Sequence, residues 1–206
     1  MVGIASVILF GQATGGEGVA ARLASVAQHT FPVRLTILFG LLQAVCAIVL
    51  GVTLYRLTRD QDSDLALLAL IFRVCEGLLG AISTRAALEL LWLGAGSRAN
   101  SLDSATMLTV GTYLLNRPAW NMGAIFFAMG STLFSYLLLR GKIIPISLAW
   151  LGVIASVILL VGLPLELAGV VRGSVTSFLW IPMLIFEVPL GIWLLIKGVR
   201  VQPTSA

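Results

Sequence analysis

"DLALLALIFRVCEGLLGAISTRAALELLW", residues 64–92, is apolar over most of its length, yet it carries Arg73 and Glu76 three residues apart near its middle. The stretch exceeds the roughly 20 residues that a helix needs to cross a bilayer. A soluble core helix has no use for so long an apolar run. Its reading therefore sets the solvent of the chain, and the two charges within it become the features that need a reason.

The composition supports lipid as that solvent. The chain has 206 residues, 59% of them hydrophobic and 11% charged, where a soluble domain carries nearer a quarter charged. The mean hydropathy of +1.04 agrees. The net charge of +4 comes from scattered Lys and Arg with no basic run, so it is not a nucleic-acid signal. Most of these cations lie at the ends of apolar stretches, as membrane flanks do. Cys46 and Cys75 fall inside predicted spans and read as unpaired small core residues. The first residues lack the positive start of a cleavable leader.

Five stretches are long enough to cross. They are 32–56, 64–92, 117–139, 145–170 and 175–197, with Thr30, the pair Ser63–Asp64 and Pro145 marking starts. Residues 1–12, "MVGIASVILFGQ", are apolar but too short to cross alone, and read as the end of a span that begins upstream or, second to that, as a half-inserted helix. An amphipathic helix is expected near 17–28, and an interfacial helix capped by Asp103 or Ser101 before Pro118. No strand signal or repeat appears. The expected fold is all-α, a polytopic transmembrane bundle of five full spans plus a short or truncated N-terminal helix, forming one domain over 1–206. Arg56, Arg59, Arg140, Lys142, Lys197 and Arg200 gather on one side, against Arg22, Arg34, Arg98, Arg117 and Arg172 on the other. The first side holds both lysines and the shorter loops, so it is read as cytoplasmic.

Depth along the helices isolates three charges. At 1.5 Å per residue, Arg73 and Glu76 lie about 13 and 18 Å from Asp64, and Glu187 about 15 Å from Lys197. All three fall near the middle of a hydrocarbon core about 30 Å thick. Arg73 and Glu76 share a helical face, so they can pair, and Glu187 can approach from the last helix. One Arg between two carboxylates carries net charge −1, which a cation or a shared proton would balance. Arg85 and Glu89, spaced i, i+4, read as a pair on the outer part of their helix. In "WIPMLIFEVPLGIW", residues 180–193, Pro182 and Pro189 flank Glu187 and are expected to free the carbonyls of Phe178 and Ile185. Asn121, with Gln43, Ser83, Thr84, Ser131, Thr132, Ser135 and Tyr136, is a candidate to line the same site, although each also suits an interhelical hydrogen bond. Gly40/Ala44, Ala47/Gly51 and Ala124/Ala128 favour close helix packing.

Several chemistries lack their residues. His29 is the single histidine, so bis-histidine haem ligation within one chain is excluded and an ordinary zinc site is disfavoured. No lysine lies mid-span for a Schiff base, serine has no basic partner within the spans, and no phosphate or dinucleotide loop appears. No cofactor or metal is expected, and the reading leans away from an enzyme.

The segments "LYRLTRDQDSDLALLALIFRVCEG" (54–77), "GAIFFAMGSTLFSYLLLRGKIIPISLAWLGVIA" (123–155) and "FEVPLGIWLLIKG" (186–198) resemble the bacterial family of unknown function numbered 4386. The positions that carry the resemblance are Tyr55-Arg56-Leu57, Phe72-Arg73, Phe126-Phe127 with Gly130, and Glu187 before Trp193-Leu194-Leu195. It covers about residues 30–199. The resemblance implies a six-helix inner-membrane protein without an assigned activity. Family members begin with a complete first span, where this chain departs.

Two functional readings stay open on the residues. In one, Arg73, Glu76, Glu187 and Asn121 form a mid-membrane pocket for a small solute, a proton or a lipophilic ligand. In the other, the protein is a non-catalytic interaction or scaffold subunit, and its buried charges only fix packing. The expected partners are the lipid bilayer, such a small lipophilic or ionic ligand, and a second copy or another membrane protein.

Overall fold

A computed structural model of the chain describes residues 2–98, 103–116, 122–171, 176 and 178–197. Its described regular elements are all helical: α1 (Val2–Ala13), α2 (Gly18–Gln28), α3 (Thr30–Thr58), α4 (Ser63–Ser83), α5 (Arg85–Arg98), α6 (Ser104–Asn116), α7 (Met122–Arg140), α8 (Ile146–Leu167) and α9 (Ile181–Lys197). Four helical runs are long and apolar enough to cross a membrane: Thr30–Thr58, Ser63–Ala95, Met122–Arg140 and Ile146–Leu167. These match four of the five expected spans. The fifth, 175–197, is represented by the 17 residues of α9, about 25 Å of helix.

The boundaries differ from expectation in three places. The second span, Ser63–Ala95, carries a local turn at Thr84 that divides it into α4 and α5. Ser83 Oγ donates to the Gly80 carbonyl at 2.7 Å and Thr84 Oγ1 to that of Ala81 at 2.7 Å. Such back-bonds to the preceding turn bend helices, and two in succession break the ladder here. The cap of α4 is Asp62 rather than Ser63 or Asp64. Its Oδ1 accepts from the Leu65 amide at 3.1 Å, while Oδ2 meets Arg140 Nη1 of α7 at 3.4 Å. Finally, α9 begins at Ile181, so Pro182 lies in its first turn, where a missing amide proton costs no helical bond. Of the two prolines, only Pro189 interrupts the ladder, and only the Ile185 carbonyl loses its intrahelical donor.

The chain divides into two units, Met1–Cys46 with Gly77–Asn121 and Ala47–Glu76 with Met122–Ala206. In the first, α2 packs against α5 and α6. Leu23, Val26, Val33, Leu90, Leu93 and Leu114 form its core. Arg22 Nε donates to the Thr14 carbonyl at 3.0 Å, tying α2 back to the end of α1. The expected amphipathic helix is thus an integral part of a packed unit. Cys46 is exposed and Cys75 half-buried, both unpaired, so neither is the core residue expected from its position.

In the second unit α7 packs along α8, and α9 along α8. Phe127, Phe134, Leu138, Leu159, Met183 and Phe186 are central to its core. Glycines permit the close approach: a Cβ at Gly152 would run into the Phe186 ring, and one at Gly162 into Leu179.

Asp103 caps α6 as expected. Its Oδ1 accepts from the Thr106 amide at 2.8 Å and its Oδ2 from the Thr106 hydroxyl at 2.6 Å. These bonds hold its carboxyl below the usual aspartate range. A carboxyl lowered on folding contributes stability that is complete above its unfolded value and lost as pH falls through the folded one. Asp103→Ala is expected to speed hydrogen exchange at the Thr106 amide at neutral pH. The wild type should show the same opening only in acid below the ordinary aspartate range.

Candidate functional site

The two charges of the opening stretch meet within the second unit. Arg73 projects from the middle of α4, and its side chain is only 6% exposed. Its aliphatic stem occupies a slot between two other helices. A Cβ at Gly51 of α3 would lie 2.8 Å from Arg73 Cβ, and one at Gly130 of α7 would lie 3.1 Å from Arg73 Cδ. A side chain at Gly51 would force a shift of the arginine stem, and one at Gly130 would need that stem to give by a few tenths of an ångström. The head then reaches two groups. Cζ stands 5.0 Å from the centroid of the Phe127 ring, a cation–π geometry. Nη1 stands 2.8 Å from Glu76 Oε2, whose side chain is 18% exposed. Phe127 is in turn backed by Trp180, with centroids 5.9 Å apart.

This arrangement leaves polar capacity unspent. Arg73 Nε and Glu76 Oε2 are both buried without an aligned hydrogen bond to the protein. Oε2 is also the oxygen that faces Nη1. The ion pair is thus close enough for strong attraction but lacks the directed bond that a charge-assisted pair ordinarily makes. Buried polar groups left in this state are uncommon and call for a reason.

Glu187 does not complete a triad. It is exposed on α9, and the ion pairs of the described residues do not include it. Arg73 is nevertheless near enough for its charge to act on the Glu187 carboxyl. Asn121 lies outside the described residues, as do Arg117, Trp120 and Arg172. Ser83, Thr84 and Thr132 satisfy their hydroxyls on their own helices, and Gln43 and Tyr136 are exposed. Ser135 is buried in the second unit, beside the space above Gly152. Arg85 and Glu89 pair as expected, at 2.9 Å on an exposed face.

Sequence reasoning missed four residues of this site: Gly51, Gly130, Phe127 and Trp180. Gly51 is visible in the sequence only as half of a small-residue pair, and Phe127 and Gly130 only as positions that carry the family resemblance. The available signal was the arginine itself, because a mid-span guanidinium demands an aromatic or acidic neighbour and a gap for its stem.

A family model described as Domain of unknown function (DUF4386) matches residues 1–198. No curated protein and no solved structure matches the chain.

Two stability predictions follow from the slot. Gly51→Leu is expected to lower stability by about 1–3 kcal/mol through overpacking, whereas Gly80→Ala, at a site with open space, should be neutral or stabilising. Arg73→Met alone strands Glu76 and should cost about 3–5 kcal/mol, while the double change Arg73→Met/Glu76→Met should recover most of it. Thermal unfolding in a single detergent, followed by helical circular dichroism, checks both.

Proposed function

The chain belongs to the family described as Domain of unknown function (DUF4386), and its helices are those of a membrane protein; from that premise we propose that it binds a small molecule at a mid-membrane polar site built on Arg73 and Glu76. In this reading α9 is the fifth full span. The lysine-bearing helix ends face the cytoplasm of a bacterial cell, and residues 1–206 act as one transmembrane domain.

The observation that carries the reading is the pair of buried atoms without aligned partners, Arg73 Nε and Glu76 Oε2. One is a donor and the other an acceptor. A purely structural ion pair gains nothing by leaving them so, since each unsatisfied buried group costs about 1–3 kcal/mol. A ligand group that both donates and accepts, such as a hydroxyl, a carboxylic acid or a primary amide, satisfies both atoms at once. The Phe127 and Trp180 rings supply an apolar wall for the remainder of a lipophilic molecule. Glu187 then adds a second carboxylate at a similar depth, able to take up a proton or attract a cation.

The second reading, an interaction subunit, is favoured by a separate observation: the outer face of α9 is apolar, with Leu184, Val188 and Leu195 exposed.

The test uses the protein in nanodiscs and a panel of lipophilic alcohols, acids and amides. At least one class is expected to raise the unfolding temperature of the wild type in a saturable way, and to have no effect on the folded Arg73→Met/Glu76→Met variant. If no class stabilises the wild type, or if the double variant responds equally, ligand binding at this site is ruled out.

A further inference from the structure

The last helix divides its residues cleanly. Met183 and Phe186 are buried, and Leu190 and Trp193 pack against the same core. On another face Leu184, Val188, Gly191 and Leu195 follow one another at spacings of 4, 3 and 4. That is the spacing of a helix–helix seam, a stripe that stays in contact with a partner helix along its length. All four are exposed, from 51% at Leu184 to 88% at Leu195 for the two leucines. A Cβ at Gly191 would meet nothing within 4 Å. A glycine amid larger apolar residues is what lets a second backbone come near inside a membrane.

Apolar side chains alone can face lipid without cost. Glu187 cannot, and it lies on the edge of this seam, one turn before Gly191. An ionised carboxylate at that depth is expensive unless a cation meets it. The candidate on its own chain, Arg73, is already engaged at 2.8 Å with Glu76, and no basic side chain of the described residues reaches Glu187 at ion-pair distance. Arg73 acts on the Glu187 carboxyl only from beyond that distance, so a cation in direct contact with it is not supplied by the described side chains.

We propose that the Leu184–Val188–Gly191–Leu195 face of α9 docks a transmembrane helix of another protein that carries a lysine or arginine at mid-depth, opposite Glu187. A second copy of this chain fits poorly. Two parallel copies meeting along this seam about an axis normal to the membrane would set Glu187 against Glu187 at one level, which adds like-charge repulsion instead of removing a cost. The inference rests on α9 crossing the membrane, but not on ligand binding at Arg73.

The experiment uses the full chain in liposomes, labelled near the end of α9, and synthetic leucine-rich helices of about 20 residues. The probes carry Lys, Gln or Glu at their centre and a fluorescence acceptor. The Lys probe is expected to associate at least tenfold more tightly than the Gln probe. Glu187→Gln should abolish that preference, Glu187→Lys should transfer it to the Glu probe, and Gly191→Leu should weaken every probe. Arg73→Met/Glu76→Met should leave the Lys preference intact, which separates this outcome from failure of the ligand reading. Equal association of the Lys and Gln probes, or an undiminished Lys preference in Glu187→Gln, overturns the proposal. So does self-association of the chain that excludes the Lys probe. Impermeant thiol labelling of Phe178→Cys and Lys197→Cys in a cysteine-free background tests the crossing itself, and reaction of both from one side overturns the proposal as well.

Discussion

A guanidinium in the middle of an apolar helix is the constraint around which the second unit is arranged. Placing arginine at the centre of a span costs about 2.5–3.5 kcal/mol on insertion scales. A desolvated cation over an aromatic face returns about 2 kcal/mol. Phe127 at 5.0 Å therefore offsets most of the cost but not all of it, and Glu76 at 2.8 Å must supply the rest. For either contact to form, the stem must pass between α3 and α7, and this is possible because Gly51 and Gly130 carry no side chains. One costly residue thus fixes the identity of positions on two other helices and the placement of a ring on one of them.

The sequence disclosed the helices and their solvent because both rest on composition and period. Long apolar runs need no tertiary context to be recognised. The i, i+3 relation of Arg73 and Glu76 was legible for the same reason, being set by the geometry of a single helix. What a single helix does not determine was harder to read. Depth counting put Glu187 level with Arg73 but said nothing of rotation about the α9 axis, and α9 turns Glu187 to its exposed side. The break at Thr84 was hidden because serine and threonine are tolerated in apolar helices, and only their hydroxyls reveal which carbonyl they choose. Pro182 misled in a similar way. Its effect depends on whether it falls in a first turn or a helix interior, and that boundary was the uncertain quantity.

The unpaired state of Glu187 follows from how Arg73 is used. A guanidinium has five donors, enough for two carboxylates, but the slot holds it so that one nitrogen faces Glu76 and its flat surface faces a ring. Glu187 comes from α9, whose rotation is already decided by Met183 and Phe186 in the core and by the fit of Phe186 over Gly152. Turning α9 to bring Glu187 onto Arg73 would pull these side chains out of the core, at about 1.5–3 kcal/mol for each. Packing therefore wins over pairing, and the net negative charge foreseen from the sequence remains as a separate carboxylate.

Glycine makes the same point from the opposite direction. At Gly51, Gly130, Gly152 and Gly162 the space that a Cβ would take is filled by Arg73, Phe186 or Leu179. In each case the missing side chain is explained inside the chain. At Gly191 it is not, because nothing occupies that space. A glycine in the interior of a helix costs about 0.5–1 kcal/mol relative to alanine, and here no internal contact compensates. The carboxylate outside the ion pairs of the described residues and the glycine with open space beside it lie one helical turn apart on α9. Among the described residues neither is met at contact distance, and a single docked helix with a basic residue opposite Glu187 would answer both.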